Sequence, residues 1–343
     1  MSGGHDEVVQ KQDFMDYLLS LQEAVKEAEE EAESQSSSDI SDSEATSSHH
    51  FLFTALVKPH DNLSGRTSQG FMAQFGTILL RKLVQWWRSN LERLVTLGVV
   101  AFAAVILGVM DTYVCKEEYW KPAAWLNLHT SLALLTSVFC LRVFGADQSM
   151  FWRECSSGLN IAAFFMARVL VNLVDLMLQS FLFASTYFFI RQIELDFGLY
   201  FLPFVLVAFA ASGVGYFISS VLPPQHGPFV AALVSFVSCG LLGHPQRVHQ
   251  MQDGSFLEIG MGMTSLTRWS VGMSFLKTVD EHQPKGLDPR GTMEFEALEK
   301  TYRRTKTDAG YWNAGIYALL GMGFCLHFAA FLGLRFSNRD KRV

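Results

Sequence analysis

Six stretches of this chain stay apolar for close to the 20 residues that a helix needs to cross the hydrocarbon core of a bilayer. They lie at about 92–110, 124–144, 169–190, 199–221, 228–243 and 312–334. In lipid every backbone polar group must bond within the chain, so such stretches predict helices and not open sheets. The expected fold is an all-α membrane protein with about six transmembrane helices. The fifth stretch is the shortest and Pro245 ends it. It is expected to stop there or to continue as a re-entrant or interfacial segment through Gly260 to Met273.

Charge divides the chain. Residues 1–50 hold 13 Asp or Glu and two Lys, whereas the remainder holds 25 Lys or Arg against 20 acids. The reading is an acidic, largely disordered cytosolic tail over 1–67 and a membrane domain over 68–343. In the tail, Phe14, Leu18, Leu21, Val25, Ala28 and Ala32 recur every three or four residues, which predicts an amphipathic helix at 7–33. Residues 34–48 are too polar to order and read as a solvated tether. Ser36 and Ser41, each with an acid three residues on, also fit an acidophilic kinase. The tail lacks a basic start and apolar core, so the first membrane helix is expected to direct insertion.

Residues 69–90 are amphipathic in a different way. Phe71, Phe75, Leu79, Leu83 and Trp86 or Trp87 share one face, while Arg81, Lys82 and Arg88 lie elsewhere. That pattern suits a helix lying in the membrane interface ahead of the first span. Orientation follows from the basic residues beside the spans. Arg81, Lys82, Arg88 and Arg93 precede span 1, Arg142, Arg153 and Arg168 surround the 2–3 connection, and Arg335, Arg339, Lys341 and Arg342 follow span 6. Both termini are therefore expected in the cytosol. Basic residues scattered at the ends of apolar runs form no nucleic-acid face. The Asn62-Leu63-Ser64 sequon falls on the cytosolic side in this reading.

No GxxxxGK(S/T) loop, HExxH, GxSxG or kinase signature occurs in the sequence. No metal site is expected: the ten His do not cluster, and His49-His50 is a polar doublet in the tail. The five Cys show no CxxC pair. Cys140, Cys239 and Cys325 sit in apolar runs as packing residues, while Cys115, in a loop expected outside the cell, suits a free thiol or an intermolecular disulfide equally. Within the spans, Asn172, Asp175 and Gln179 follow i, i+3, i+7 and share a face of span 3. Interhelical bonding and a translocation path both account for them. A carboxylate at Asp175 must be paired or protonated. Small residues on span 4 (Ala208, Ala210, Ala211, Ser212, Gly213, Gly215) and span 6 (Gly315, Gly321, Gly323) predict close helix approach.

The stretch FWRECSSGLNIAAFFMARVLVNLVDL (151–176) resembles the first intracellular loop and third span of type-2 ABC exporters of the white/brown-complex (G) subfamily, plant-type half-transporters in particular. Phe151, Arg153, Glu154, Gly158 and Asp175 carry the likeness. LVQWWRSN (83–90) is similar to that family's connecting helix, AFAASGVGYFIS (208–219) to its span 4, MTSLTRWSVGM (263–273) to the segment after span 5, and FSNRDKR (336–342) to its cytosolic end. The likeness covers about 68–342 and is not preceded by the nucleotide-binding domain found in such half-transporters. The resemblance implies the transmembrane subunit of a transporter for a lipid-like or other amphiphilic substrate, multi-pass in the plasma membrane or an internal membrane. ATP and Mg would be bound by a nucleotide-binding domain supplied in trans, within a homo- or heterodimer. Arg153, Glu154 and Gly158, with Arg81 or Arg88, would form the surface that couples to that domain. Asn127, Ser131, Ser235 and Phe236 would line the substrate path. A motorless membrane scaffold or a fragment of a full half-transporter is the alternative.

Overall fold

The computed structural model describes residues 70–114, 122–145, 148–193, 195–245, 256–281, 289–303 and 310–336, all inside the compact unit Ser68–Val343. The expected helix at 7–33, the tether with Ser36 and Ser41, His49-His50, Asn62, Cys115 and the residues after Phe336 lie outside the described residues. Among those described there is no strand. The helices are α1 Phe71–Arg88, α2 Asn90–Val114, α3 Pro122–Gly145, α4 Gln148–Ser156, α5 Ile161–Arg191, α6 Phe197–Val221, α7 Gly227–Ser235, α8 Phe256–Thr264, α9 Leu266–Glu281, α10 Pro289–Arg303 and α11 Gly310–Phe336.

Five of these (α2, α3, α5, α6 and α11) are long and apolar enough to cross a membrane. They match five of the six expected stretches. The sixth is α7 followed directly by a π-helical turn, Phe236–Leu241, giving a short apolar helix over Gly227–Leu241. The turn is tied from outside: Thr267 Oγ1 donates to the Cys239 carbonyl at 2.6 Å. The third span begins well before its expected start at 169, because α5 runs from Ile161 through Arg168. Arg168 donates to the Val143 carbonyl and lies over the Phe164 ring at 4.3 Å, so its charge does not end the helix.

The bundle is organised around α6, which packs between α3 and α11. Small residues on opposite sides of α6 permit this. A Cβ on Gly213 would meet Leu326 Cβ at 2.7 Å, and one on Gly215 would run into the Ser137 carbonyl oxygen and Cys140 Cβ. Without side chains there, backbones approach closely enough for dispersion to act over the whole contact. On α11, Gly315 and Gly323 face Met273 and Phe209, whereas Gly321 faces open space. Helix α2 runs parallel to α5 on the outside of this core. Arg93 meets Asp175 and Gly108 meets Ile190, a constant offset of 82 residues. The far end of the pair is closed by Asp111, which accepts from Tyr187 Oη at 2.7 Å and whose carbonyl accepts from Arg191 at 2.8 Å.

The region between span 5 and span 6 is not a plain loop. It carries α8, α9 and α10, and α9 is buried over nearly its whole length against α3, α6 and α11. Ser274 Oγ lies 3.0 Å from His129 Nε2, and Tyr311 Oη donates to the Arg268 carbonyl at 3.0 Å. The expected segment through Gly260 to Met273 is thus helical and seated on the bundle, at the end where α3 and α11 begin.

Two glycines separate close packing from mere helix propensity. Gly215→Ala places its methyl against a backbone oxygen and should lower stability by about 2 kcal/mol. Gly321→Ala meets nothing within 4 Å and should be neutral or stabilising by up to about 1 kcal/mol. Thermal unfolding in detergent reads both, and equal effects would show that the α3–α6 contact does not set the stability.

Candidate functional site at the interfacial helix

Helix α1 has three faces. Ile78, with Phe75 and Leu79, packs into a cluster with Phe151, Phe164 and Phe165. On the opposite side Met72, Leu80, Val84 and Trp87 are exposed, which suits a helix lying in an interface. The third face is polar. Gln74 and Arg81, two turns apart, both point toward the turn that joins α4 to α5.

That turn is built by local capping. Gly158 has φ +92°, which an L side chain rarely adopts. It ends α4 as a Schellman motif: the Gly158 N–H donates to the Cys155 carbonyl and the Leu159 N–H to the Glu154 carbonyl, both at 3.1 Å. Two residues later Asn160 caps α5, its Oδ1 accepting from Ala162 N at 2.9 Å and Ala163 N at 3.4 Å. One helix end therefore leads into the next with little slack.

Onto this turn α1 makes two contacts. Arg81 holds Glu154 with both arms of its guanidinium, at 2.6 and 3.1 Å. The Asn160 N–H donates to Gln74 Oε1 at 2.8 Å. Glu154 is thus paired with Arg81 and not with Arg88. Arg88 lies two turns further along the same polar face, in the last turn of α1, and is exposed. Arg153 is also exposed beside the pair. With side chains 46% and 26% exposed, the Arg81–Glu154 bridge contributes about 0.5 kcal/mol to stability. What it fixes is the direction of α1 relative to α4.

At its other end α1 is held by the polar face of span 3. Asp175 accepts from Trp86 Nε1 at 2.9 Å and forms an ion pair with Arg93 Nε at 2.9 Å. The Arg93 guanidinium lies 3.7 Å from the centre of the Trp86 ring and donates to the Trp86 carbonyl, one of the last in α1. One arginine therefore neutralises the intramembrane acid, stacks on the tryptophan and caps the interfacial helix. Asn172 donates to Tyr216 Oη at 2.6 Å and to Cys140 Sγ at 3.4 Å, and Gln179 is buried. Asn172, Asp175 and Gln179 all line one cavity of about 620 Å³.

The four positions expected along a path differ in exposure. Ser235 is buried and its hydroxyl lies 2.7 Å from that of Ser137, tying α7 to α3. Phe236 and Asn127 are exposed, and Ser131 is half-buried. Sequence reasoning missed the Ser137–Ser235 tie, the Tyr216 partner of Asn172 and the role of Arg93. Only Arg93, a charge one residue into span 1, left a trace in the sequence.

Removing one member of the Asp175 pair leaves a charge without its partner among apolar helices. Arg93→Gln alone should cost on the order of 2–3 kcal/mol. Adding Asp175→Asn should recover much of that, a coupling read from a double-mutant cycle of unfolding midpoints. Additive losses would show that the two side chains do not depend on each other.

Comparison with known proteins agrees with this architecture. Residues 7–339 match the family model described as ABC-2 type transporter, a match that extends into the acidic segment. Among curated proteins the chain is 24% identical to ABC transporter G family member 25 of Oryza sativa subsp. japonica over 47% of this chain and 16% of that protein. It is 27% identical to ABC-type transporter claG of Penicillium crustosum over 33% of this chain and 15% of that protein. It is 22% identical to white-brown complex homolog protein 30 of Arabidopsis thaliana over 52% of this chain and 16% of that protein. The matched stretches span about a sixth of the length of these relatives. With five helices able to cross a bilayer and a family match over nearly its whole length, the chain belongs to the ABC-2 type transporter family as an integral membrane domain.

Proposed function

We propose that this chain is the transmembrane subunit of a transporter for lipid-like or other amphiphilic substrates, driven by ATP hydrolysis on a partner. The observation that carries the reading is the two-point attachment of α1 to the α4–α5 turn by Arg81–Glu154 and Gln74–Asn160. A displacement of α4 by a bound domain would pass through this attachment to α1, and from α1 through Trp86 and Arg93 to Asp175 on α5. Exposed Arg153 and Arg88 offer charge to such a domain on the same side. In this reading both termini and the α4–α5 turn face the cytosol, and the membrane is the plasma membrane or an internal one. The nucleotide-binding domain with its ATP and Mg acts in trans, and two membrane chains, identical or different, form the path between them. An apolar path accords with amphiphilic cargo. Asn127 and Phe236, both exposed, are its best-placed lining residues, and Ser235 acts there by holding α7 to α3.

The test is affinity purification from native membranes in mild detergent, with a vanadate-sensitive ATPase assay on what co-purifies. A stoichiometric nucleotide-binding chain with activity is expected, whereas no such chain and no activity would favour a scaffold. In that complex Glu154→Ala should leave membrane insertion intact and reduce stimulation of the partner ATPase at least about fivefold. The swap Arg81→Glu with Glu154→Arg should restore part of it. Full stimulation in Glu154→Ala would remove the coupling role.

A further inference from the structure

The cavity of about 620 Å³ where α1, α2, α3 and α5 meet has the size of a small-molecule site, and the transport reading gives it no role. None of Asn127, Ser131, Ser235 or Phe236 lines it. Most of its polar lining is already engaged. Lys82 Nζ donates to Gln85 Oε1 at 2.7 Å, Arg168 donates to the Val143 carbonyl, and Asn172 donates to Tyr216 Oη at 2.6 Å. Arg93 and Asp175 pair with each other. Glu92 and Arg142, one of each sign, are both exposed.

Gln179 is the exception. It is 8% exposed and lies one turn beyond Asp175 on α5, the lining residue of that helix furthest from the α4–α5 turn. Its amide has no partner among the described residues, yet its polar atoms are not sealed in, so they open on the cavity. A polar group so placed inside a bundle is costly until something bonds it. Trp86 Nε1 and Arg93 Nε both reach Asp175 at Oδ1, which leaves Oδ2 to accept a further donor. Residues four apart on a helix are neighbours, about 5–6 Å apart. One hydroxyl between these two can therefore accept from the Gln179 amide and donate to Asp175. An anion there would be repelled by Asp175 and a cation by Arg93, so the group that fits is uncharged.

We infer that this cavity binds the hydroxyl end of an uncharged amphiphile, held between Gln179 and Asp175. The rest of the molecule lies against the apolar part of the lining, which Trp86, Phe139, Val143 and Val171 supply. Trp86 and Asp175 both line the cavity and bond each other at 2.9 Å. The occupant therefore sits beside the contact that holds α1 to α5.

Photolabelling of the full chain in phosphatidylcholine nanodiscs tests this, with a diazirine analogue of octanol as the probe and peptide mass spectrometry to locate the label. Wild type should show saturable labelling on the cavity lining that excess octanol displaces. Heptyl methyl ether, which accepts a hydrogen bond but cannot donate one, should compete about fivefold less well, the loss expected for one hydrogen bond. Octyl sulfate and octyltrimethylammonium should compete no better than the ether. Gln179→Leu should weaken labelling about fivefold, and Thr96→Phe, which fills the space from α2, should abolish it. A wild-type elution profile and unfolding midpoint would show that these variants fold. Labelling that does not saturate, or that is unchanged in Gln179→Leu, would overturn the inference and leave water as the partner of the amide. Equal competition by octyl sulfate would overturn it in favour of an anion. No partner ATPase enters the assay, so its failure would leave the transport reading untouched.

Discussion

A carboxylate inside a membrane-spanning helix has to be answered by the rest of the protein, and at Asp175 the answer comes from another segment altogether. Arg93 and Trp86 lie on either side of the elbow between α1 and α2, so pairing the acid also fixes where the interfacial helix leaves the membrane. Once α1 is held at that end, its polar face is aimed along α4, and Arg81 and Gln74 meet the α4–α5 turn. The Schellman glycine and the Asn160 cap then carry the constraint directly into α5, the helix that bears Asp175. The loop of contacts is closed: α1 to α4, α4 to α5, α5 back to the end of α1.

The remainder of the bundle relies on a different force. Between α6 and its neighbours there are few charges, and lipid gives apolar side chains no reason to leave it for one another. Close approach supplies the cohesion, at Gly213 and Gly215 on α6 and at Gly323 on α11. The polar ties that do occur are hydroxyl and imidazole contacts such as Ser137–Ser235 and His129–Ser274, which fix register more than they add strength.

Much of this was legible in the sequence, at the level where local chemistry decides. Hydropathy located the spans because lipid demands it, and the i, i+3, i+7 spacing put Asn172, Asp175 and Gln179 on one face, where the fold keeps them. Span 3 was placed too short because Arg168 interrupts the apolar run, and nothing local reveals that Val143 and Phe164 will accommodate it. Arg81 and Arg88 are equivalent by helical phase. The placement of α1, fixed by Gln74–Asn160 at one end and Trp86–Asp175 at the other, decides which one reaches Glu154. The partners of Asn172 and Ser235 come from helices 44 and 98 residues away in sequence, and no periodicity within one helix encodes them. Polarity alone does not tell a side chain turned to a neighbour, as Ser235 is to Ser137, from one turned outward, as Asn127 is.

The short helix α7 with its π-helical turn has a consequence for the bilayer itself. Fifteen residues, Gly227–Leu241, rise about 22 Å, some 8 Å less than a typical hydrocarbon core. Helix α5, elsewhere in the bundle, has 31 residues and exceeds that core by a comfortable margin. Lipids beside the exposed Phe229 and Leu233 must therefore compress while those beside α5 need not, which leaves a dent in the membrane on one flank of the domain. Such a dent has an elastic cost that grows with its perimeter. Any surface that covers α7 shortens that perimeter, so the bilayer's own stiffness draws a second body to this flank without any specific bond.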